Sequence, residues 1–326
     1  MENVKIVITD NLVGRMPEIT GEKYPEENSR IEWVMAETGN EDELAGLVKG
    51  ADIIVGARNG ITTKVLENAD KAHFIQQCSA GYDNIDMETA QAKKITVSNS
   101  GSAGVIPVAE HAIMLMLSVA KSLPQSHKTI VDGEWAFSQY VNKVFEVYEK
   151  TVGIVGMGQI GTQTAILANG LKMKVQFFDP YRKDTSDLDF PIQSVSLEEL
   201  MKTSDFISIH TPLTDETYHM IGRDELRMMK PTAYLVNTSR GVIVDEDALA
   251  DALEENWFAG AGLDVYGKHI DPPPEGAKIL KLPNVVFTPH VGGATAEDIF
   301  RNFYVTSVDN IIRVLRGEKP LYVVSG

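Results

Sequence analysis

The chain has 326 residues, 43% hydrophobic and 23% charged, which is the make-up of a soluble globular protein with room for two domains of ordinary size. A formal charge of −16 and a pI near 4.9 argue against nucleic acid or an anionic membrane as the main partner. The lone cysteine, Cys78, excludes an intrachain disulfide, and its apolar run marks it as a small buried hydrophobe.

The first residues enter a strand pattern at once, with no signal-peptide layout, and the most apolar stretch, 112–120, is too short to span a bilayer. A cytoplasmic protein is expected. From the start, strand patterns at 4–8, 31–35, 53–55, 74–77 and 95–98 alternate with helix patterns at 41–48, 63–69 and 85–93. Such alternation predicts βαβ units and a parallel sheet. Pro107 opens a helix running to Ala120, apolar nearly all round and so expected to be buried. Further strands are predicted at 175–178, 206–209, 233–236, 260–263 and 285–287, and a helix at 245–255. A long final helix is expected over 295–315, ended by Gly317 and Pro320, with one more strand at 321–324. The fold class is therefore α/β, with two Rossmann-like or flavodoxin-like domains in tandem, parallel sheets and an inter-domain cleft.

One segment carries most of the functional signal. Val152-Gly153-Ile154-Val155 leads into Gly156-Met157-Gly158-Gln159-Ile160-Gly161, a helix pattern follows at 162–171, and the next strand ends at Asp179. That order is the dinucleotide fingerprint. Gly156 permits the tight turn, Gly158 lets a pyrophosphate approach the backbone, and Gly161 lets helix and strand pack closely. The helix N-terminus offers unpaired N–H groups and partial positive charge. Asp179, 18 residues after Gly161, suits the ribose hydroxyls and opposes a 2′-phosphate, so NAD is expected over NADP.

Three more segments fall at predicted carboxyl ends of strands, where open α/β sheets bind ligands. They are Asn237-Thr238-Ser239-Arg240-Gly241, Gly262-Leu263-Asp264 and Thr288-Pro289-His290-Val291-Gly292-Gly293. A guanidinium can hold a carboxylate with two hydrogen bonds and polarise an adjacent carbonyl. An imidazole can pass a proton near neutral pH. Those are the requirements of hydride transfer to a 2-oxo acid.

With these segments, Ser79-Ala80-Gly81-Tyr82-Asp83-Asn84-Ile85-Asp86 and Val108-Ala109-Glu110-His111, the chain resembles the D-isomer-specific 2-hydroxyacid dehydrogenase family over essentially its whole length. The resemblance implies that Arg240 binds substrate carboxylate and carbonyl, and that His290 is the acid/base. It implies that Asp264 holds the nicotinamide carboxamide, while Thr238, Gly292 and the Thr211-Pro212 pair border the cofactor. Backbone at Ala80 and Gly81 would meet the substrate carboxylate. Residues 1–100 plus 297–326 would be the substrate domain, and 101–296 the NAD-binding domain. A homodimer acting on a small 2-oxo or 2-hydroxy acid follows, with no metal.

The family's catalytic glutamate, five residues after the aspartate of Gly-Leu-Asp-Val, is replaced here by His269; two extra residues before the proline run would align Asp271 instead. Asp271 is the preferred partner for His290, because a carboxylate favours the imidazolium and a second histidine does not. Arg58, after a first-domain strand, is a candidate for an acidic substrate tail, with a solvated loop arginine as the plainer reading. His111 reads as a core histidine, and Trp135 as core packing or a family tryptophan. Two other functions stay open: an NAD-sensing partner protein without catalysis, and oxidation of a small inorganic or one-carbon anion. Glyoxylate, hydroxypyruvate, pyruvate and larger 2-oxo acids are all compatible. Phosphoglycerate is disfavoured by the lack of a further domain after Gly326.

Overall fold

A computed structural model describes residues 3–102, 104–141, 143–267 and 272–324. The chain divides into two compact units, Met1–Gly104 with Ala294–Gly326, and Val105–Gly293.

The first unit is a five-stranded parallel sheet of β1 (Val4–Ile8), β2 (Ile31–Met35), β3 (Ile53–Gly56), β4 (Phe74–Gln77) and β5 (Thr96–Ser98), in the order β2-β1-β3-β4-β5. Its strands read as continuous apolar runs because both faces are covered. Ile6, Ile8, Ile53 and Val55 point into one core, with Val308, Ile311 and Ile312 of the terminal helix Ser307–Leu315; Val7 and Ile54 point into the other. Cys78 lies in the first of these cores, fully buried, and burial pushes its thiol up to about 12, so it behaves as a hydrophobe.

The second unit holds seven parallel strands: β6 (Thr151–Val155), β7 (Lys174–Phe178), β8 (Ile192–Ser194), β9 (Phe206–Ile209), β10 (Tyr234–Asn237), β11 (Gly260–Leu263) and β12 (Val285–Phe287). Their order is β12-β11-β10-β9-β6-β7-β8. Strand order therefore reverses at β6, beside β9, which is the switch point where doubly wound sheets bind ligands. Val152 and Ile154 feed a core shared with the helix Val105–Ala120, whereas Val155 feeds the core on the opposite face.

Several elements differ from the sequence reading. The helix expected at 85–93 is Met87–Ala92, because Asp86 caps it by accepting the Thr89 N–H, and Ile85 instead bridges to Ile61. The final helix is wound as a π-helix over Ile299–Thr306, where the Thr306 and Ser307 hydroxyls donate to the carbonyls of Arg301 and Asn302, five residues back. Residues 321–324 form only a bridge, Val323 to Ser98, rather than a strand. The edge strand β8 and the helices Met16–Lys23, Leu123–Val131, Leu197–Thr203 and Arg223–Met228 were not expected. No single helix among the described residues is long and apolar enough to cross a membrane.

Candidate active site

At the switch point the glycine loop has the geometry its sequence implies. Gly156 takes φ +91°, and a Cβ there would lie 2.8 Å from the Thr211 backbone nitrogen. A Cβ on Gly161 would lie 2.0 Å from the Gly156 carbonyl oxygen, whereas one on Gly158 would meet nothing within 4 Å. The loop is thus closed inward at Gly156 and Gly161 and open outward at Gly158. Gly158 caps the helix Gln159–Gly170, which starts earlier than expected and so includes Gln159 and Ile160 in its first turn. Gly161→Ala is expected to cost about 1–3 kcal/mol, because backbone cannot move aside as a side-chain tip would. The check is a thermal midpoint lowered by several degrees together with weaker NADH binding.

Asp179 closes the other side of an 890 Å³ cavity lined by Met157, Gly158, Gln159 and Thr162 among others. Its Oδ2 accepts the Met157 N–H at 2.7 Å, and Oδ1 accepts the N–H groups of Tyr181 and Arg182 at 2.8 and 3.0 Å. Burial raises the carboxyl's pKa, but these three backbone donors outweigh it and hold the group below its usual range. Asp179 therefore stays anionic.

The third strand end is a turn after β10. Asn237 accepts the Ser239 N–H at 3.0 Å and donates to the Arg240 carbonyl at 2.9 Å, while the Ser239 hydroxyl donates to the Ile209 carbonyl of β9 at 2.9 Å. Arg240 is half-buried there, with Nη1 donating to the Ser239 carbonyl at 2.8 Å. Gly241 must be glycine for the next contact: a Cβ would lie 2.4 Å from the Gly267 nitrogen. The same Val265–Gly267 stretch carries Tyr266, whose hydroxyl donates toward the carbonyls of Leu263 and Thr288 at 3.1 and 3.0 Å. Tyr266 so ties the segment beside Arg240 to the strand end that leads to His290.

His290 has φ +55°, a left-handed conformation that is uncommon for a non-glycine residue and marks strain at a site. Asp264 is what holds that loop. Its Oδ1 accepts the Thr288 hydroxyl at 2.5 Å and the Val291 N–H at 3.0 Å, and its Oδ2 accepts the Gly292 N–H at 2.9 Å. The Thr288 hydroxyl spends its proton on Asp264, so the His111 ring nitrogen 2.9 Å from it must donate, fixing Nε2–H. His111 Nε2 also lies 3.3 Å from Asp264 Oδ1. His111 was read from sequence as a core histidine; its link to Asp264 is a spatial fact across 153 residues that no local pattern signals.

Asp264 is only 2% exposed, and burial alone would raise its pKa. Hydrogen bonds from His111, Thr288 and the Gly292 and Val291 N–H groups win, and the pKa is lowered. Because the folded value is depressed, this carboxylate contributes stability above its unfolded pKa of about 3.9 and loses it as pH falls through the lower folded value. Calorimetry on Asp264→Asn should accordingly show a lower midpoint near neutral pH and a shallower decline below about pH 4 than the unsubstituted chain. A decline of equal steepness in both would remove Asp264 from this role.

Two hydroxyls beside these loops, on Thr211 and Thr238, are buried with no hydrogen-bond partner among the described residues. Buried polar atoms left unmatched at strand ends fit a dinucleotide that would supply the partners. With Gly158 open and Asp179 anionic, the residues present fit NAD. His210, partly buried beside Thr211, has its pKa pushed down to about 3 by burial and is a neutral ring, 2.9 Å from the Ser208 hydroxyl.

In the first unit, Asn99 donates to the Ala80 carbonyl at 2.8 Å and the Ser79 hydroxyl to the Gly81 carbonyl at 2.8 Å, which fixes that loop. Arg58 forks onto the buried Asp10 through Nε and Nη2 at 3.0 and 2.9 Å. His269 and Asp271 lie outside the described residues. Among the described residues, no group of three His, Cys, Asp or Glu side chains is placed to hold a metal ion.

Residues 113–292 match the family described as D-isomer specific 2-hydroxyacid dehydrogenase, NAD binding domain. The chain belongs to that family. It is 40% identical over 281 residues to a glyoxylate reductase of Korarchaeum cryptofilum, covering 85% of this chain and 84% of that one. A D-3-phosphoglycerate dehydrogenase of Methanocaldococcus jannaschii is 37% identical over 99% of this chain and 59% of its own length. Among solved structures, an NAD-dependent formate dehydrogenase of Staphylococcus aureus in complex with NAD superposes with a TM-score of 0.86 at 29% identity, over 99% of each chain. The chain is thus an NAD(P)-dependent oxidoreductase of the 2-hydroxyacid dehydrogenase type.

Proposed function

We propose that the protein is a 2-oxoacid reductase, converting a small 2-oxo acid to the D-2-hydroxy acid with NADH. The observation that carries this reading is the Asp264 grip on the backbone just after His290. It holds one imidazole in a strained loop conformation, at the carboxyl end of the strand next to the one bearing Asp264. Bound NADH supplies the hydride. His290 protonates the carbonyl oxygen, and Arg240 binds the substrate carboxylate with its planar fork and polarises the carbonyl. Asp264 positions His290 through the loop, and its assignment to the nicotinamide carboxamide extends the same placement. Asp271 is proposed as the carboxylate partner of His290, in preference to His269.

Gly156, Gly158, Gln159, Ile160 and Gly161 are proposed to hold the pyrophosphate, and Asp179 the ribose. Thr211, Pro212, Thr238 and Gly292 would border the rest of the cofactor. Residues 101–296 then form the cofactor domain, and 1–100 with 297–326 the substrate domain. In the latter, backbone at Ala80 and Gly81 would take the substrate carboxylate. Arg58 would meet an acidic substrate tail only by giving up Asp10. Glyoxylate heads the candidate substrates because a relative 40% identical is a glyoxylate reductase.

A cytoplasmic homodimer is proposed. Leu123, Ile130, Val131 and Phe137 are 55%, 56%, 68% and 68% exposed, and Trp135 is 85% exposed, more large apolar surface than one short segment leaves to water without a partner. A panel of 2-oxo acids followed by NADH absorbance tests the activity. Turnover of glyoxylate or a close analogue is the expected result, and no turnover of any 2-oxo acid would refute the reading.

A further inference from the structure

The cofactor wall carries two cations directly after Asp179, in Asp179-Pro180-Tyr181-Arg182-Lys183. An arginine in this place ordinarily suits a 2′-phosphate, and would draw NADP despite the aspartate. Here all three guanidinium nitrogens of Arg182 are already engaged. Nε donates to the Asp184 carbonyl at 3.1 Å; Nη1 donates to the Met157 carbonyl at 3.1 Å and the Thr162 hydroxyl at 2.5 Å. Nη2 faces both oxygens of Asp187, each at 2.6 Å. Lys183 is turned to the Asp179 carbonyl at 3.0 Å.

Resting on the reading of this pocket as the adenosine site, we propose that Asp187 is a specificity-determining residue. It masks Arg182 from a 2′-phosphate, so discrimination against NADP has two parts: Asp179 repels the phosphate, and Asp187 occupies the cation that would attract it. The two parts differ physically. Asp179 is fixed by three backbone donors, whereas the Asp187 side chain is 58% exposed and pairs with Arg182. An exposed pair is easily exchanged, so the mask is the adjustable part. Nη1 and Nε stay anchored to the glycine-loop carbonyl, Thr162 and Asp184, which leaves Nη2 aimed into the cavity when Asp187 is neutralised.

The test is calorimetric titration of the full chain with NADH, NADPH and 2′-AMP, which carries the 2′-phosphate without the nicotinamide. Asp187→Asn keeps the side-chain shape and removes the charge. It should shift the ratio of NADH to NADPH dissociation constants toward NADPH by about fivefold, the upper end for an exposed ion pair, and strengthen 2′-AMP binding in step. The double variant Asp187→Asn with Arg182→Ala should lose that gain. An unchanged ratio in Asp187→Asn would overturn the proposal. So would a gain that persists in the double variant, because simple loss of negative charge would then explain it. If the unsubstituted chain binds neither NADH nor NADPH, the adenosine-site reading fails with it; NADH binding with no shift in ratio overturns the masking role alone.

Discussion

His290→Ala is expected to lower kcat/KM for 2-oxo acid reduction by about 10²–10⁴-fold, the usual worth of a positioned general acid. His290 is held at φ +55° while the next two N–H groups are fixed on a buried carboxylate, so the main chain positions the ring. Removing the ring leaves that scaffold, and Asp264 still has the Thr288, Val291 and Gly292 donors. NADH affinity should consequently change little, and the loss should lie in kcat. A variant reducing substrate at the normal rate would move the proton donor elsewhere.

Arg240→Lys should cost about 10- to 150-fold in kcat/KM, although the charge is kept. An ammonium cannot supply two parallel N–H donors, so one charge-assisted hydrogen bond, worth ~1.5–3 kcal/mol, is lost. The turn itself should survive: it is closed by Asn237, by Ser239 to Ile209, and by Gly241 packed on Tyr266 and Gly267, none of which uses the guanidinium. Folding should then be normal and NADH binding retained. Turnover within a few-fold of the unsubstituted chain would remove Arg240 as the carboxylate anchor.

Apart from β8, the strands of both sheets were legible because parallel strands covered on both faces leave short apolar runs between turn signals, as at Ile6–Ile8 and Ile53–Val55. Glycine positions were legible for the same local reason: the turn at Gly156 and the close approach at Gly161 are properties of a short segment. Elements that rest on tertiary contacts were not. The edge strand β8 pairs on one side only, with β7, and has a single partly buried apolar residue, Ile192, so it lacks an apolar run. The π-winding of 299–306 follows from two hydroxyl groups finding carbonyls five residues back, which no hydrophobic period encodes.

The site divides along the same line. Arg240, Asp264 and His290 stand out in the sequence as candidates because each follows a strand, at the end where such sheets bind ligands. His111 was passed over since its partners Thr288 and Asp264 come from distant strand ends. Arg182 carries no local signal either: its Nε and Nη2 are engaged only once the 184–187 turn has folded back on it.

Isotope transfer tests the central claim most directly. NADH carrying deuterium at nicotinamide C4, supplied in turn as each of the two C4 epimers, is incubated with the most rapidly consumed 2-oxo acid of three or more carbons, because glycolate has no stereocentre, and the product is examined by NMR and chiral chromatography. Hydride transfer in this site predicts deuterium at C2 of a D-2-hydroxy acid from one epimer, with solvent protons reaching only the new hydroxyl. Product with C2 hydrogen drawn from water, or of the L configuration, would contradict the account.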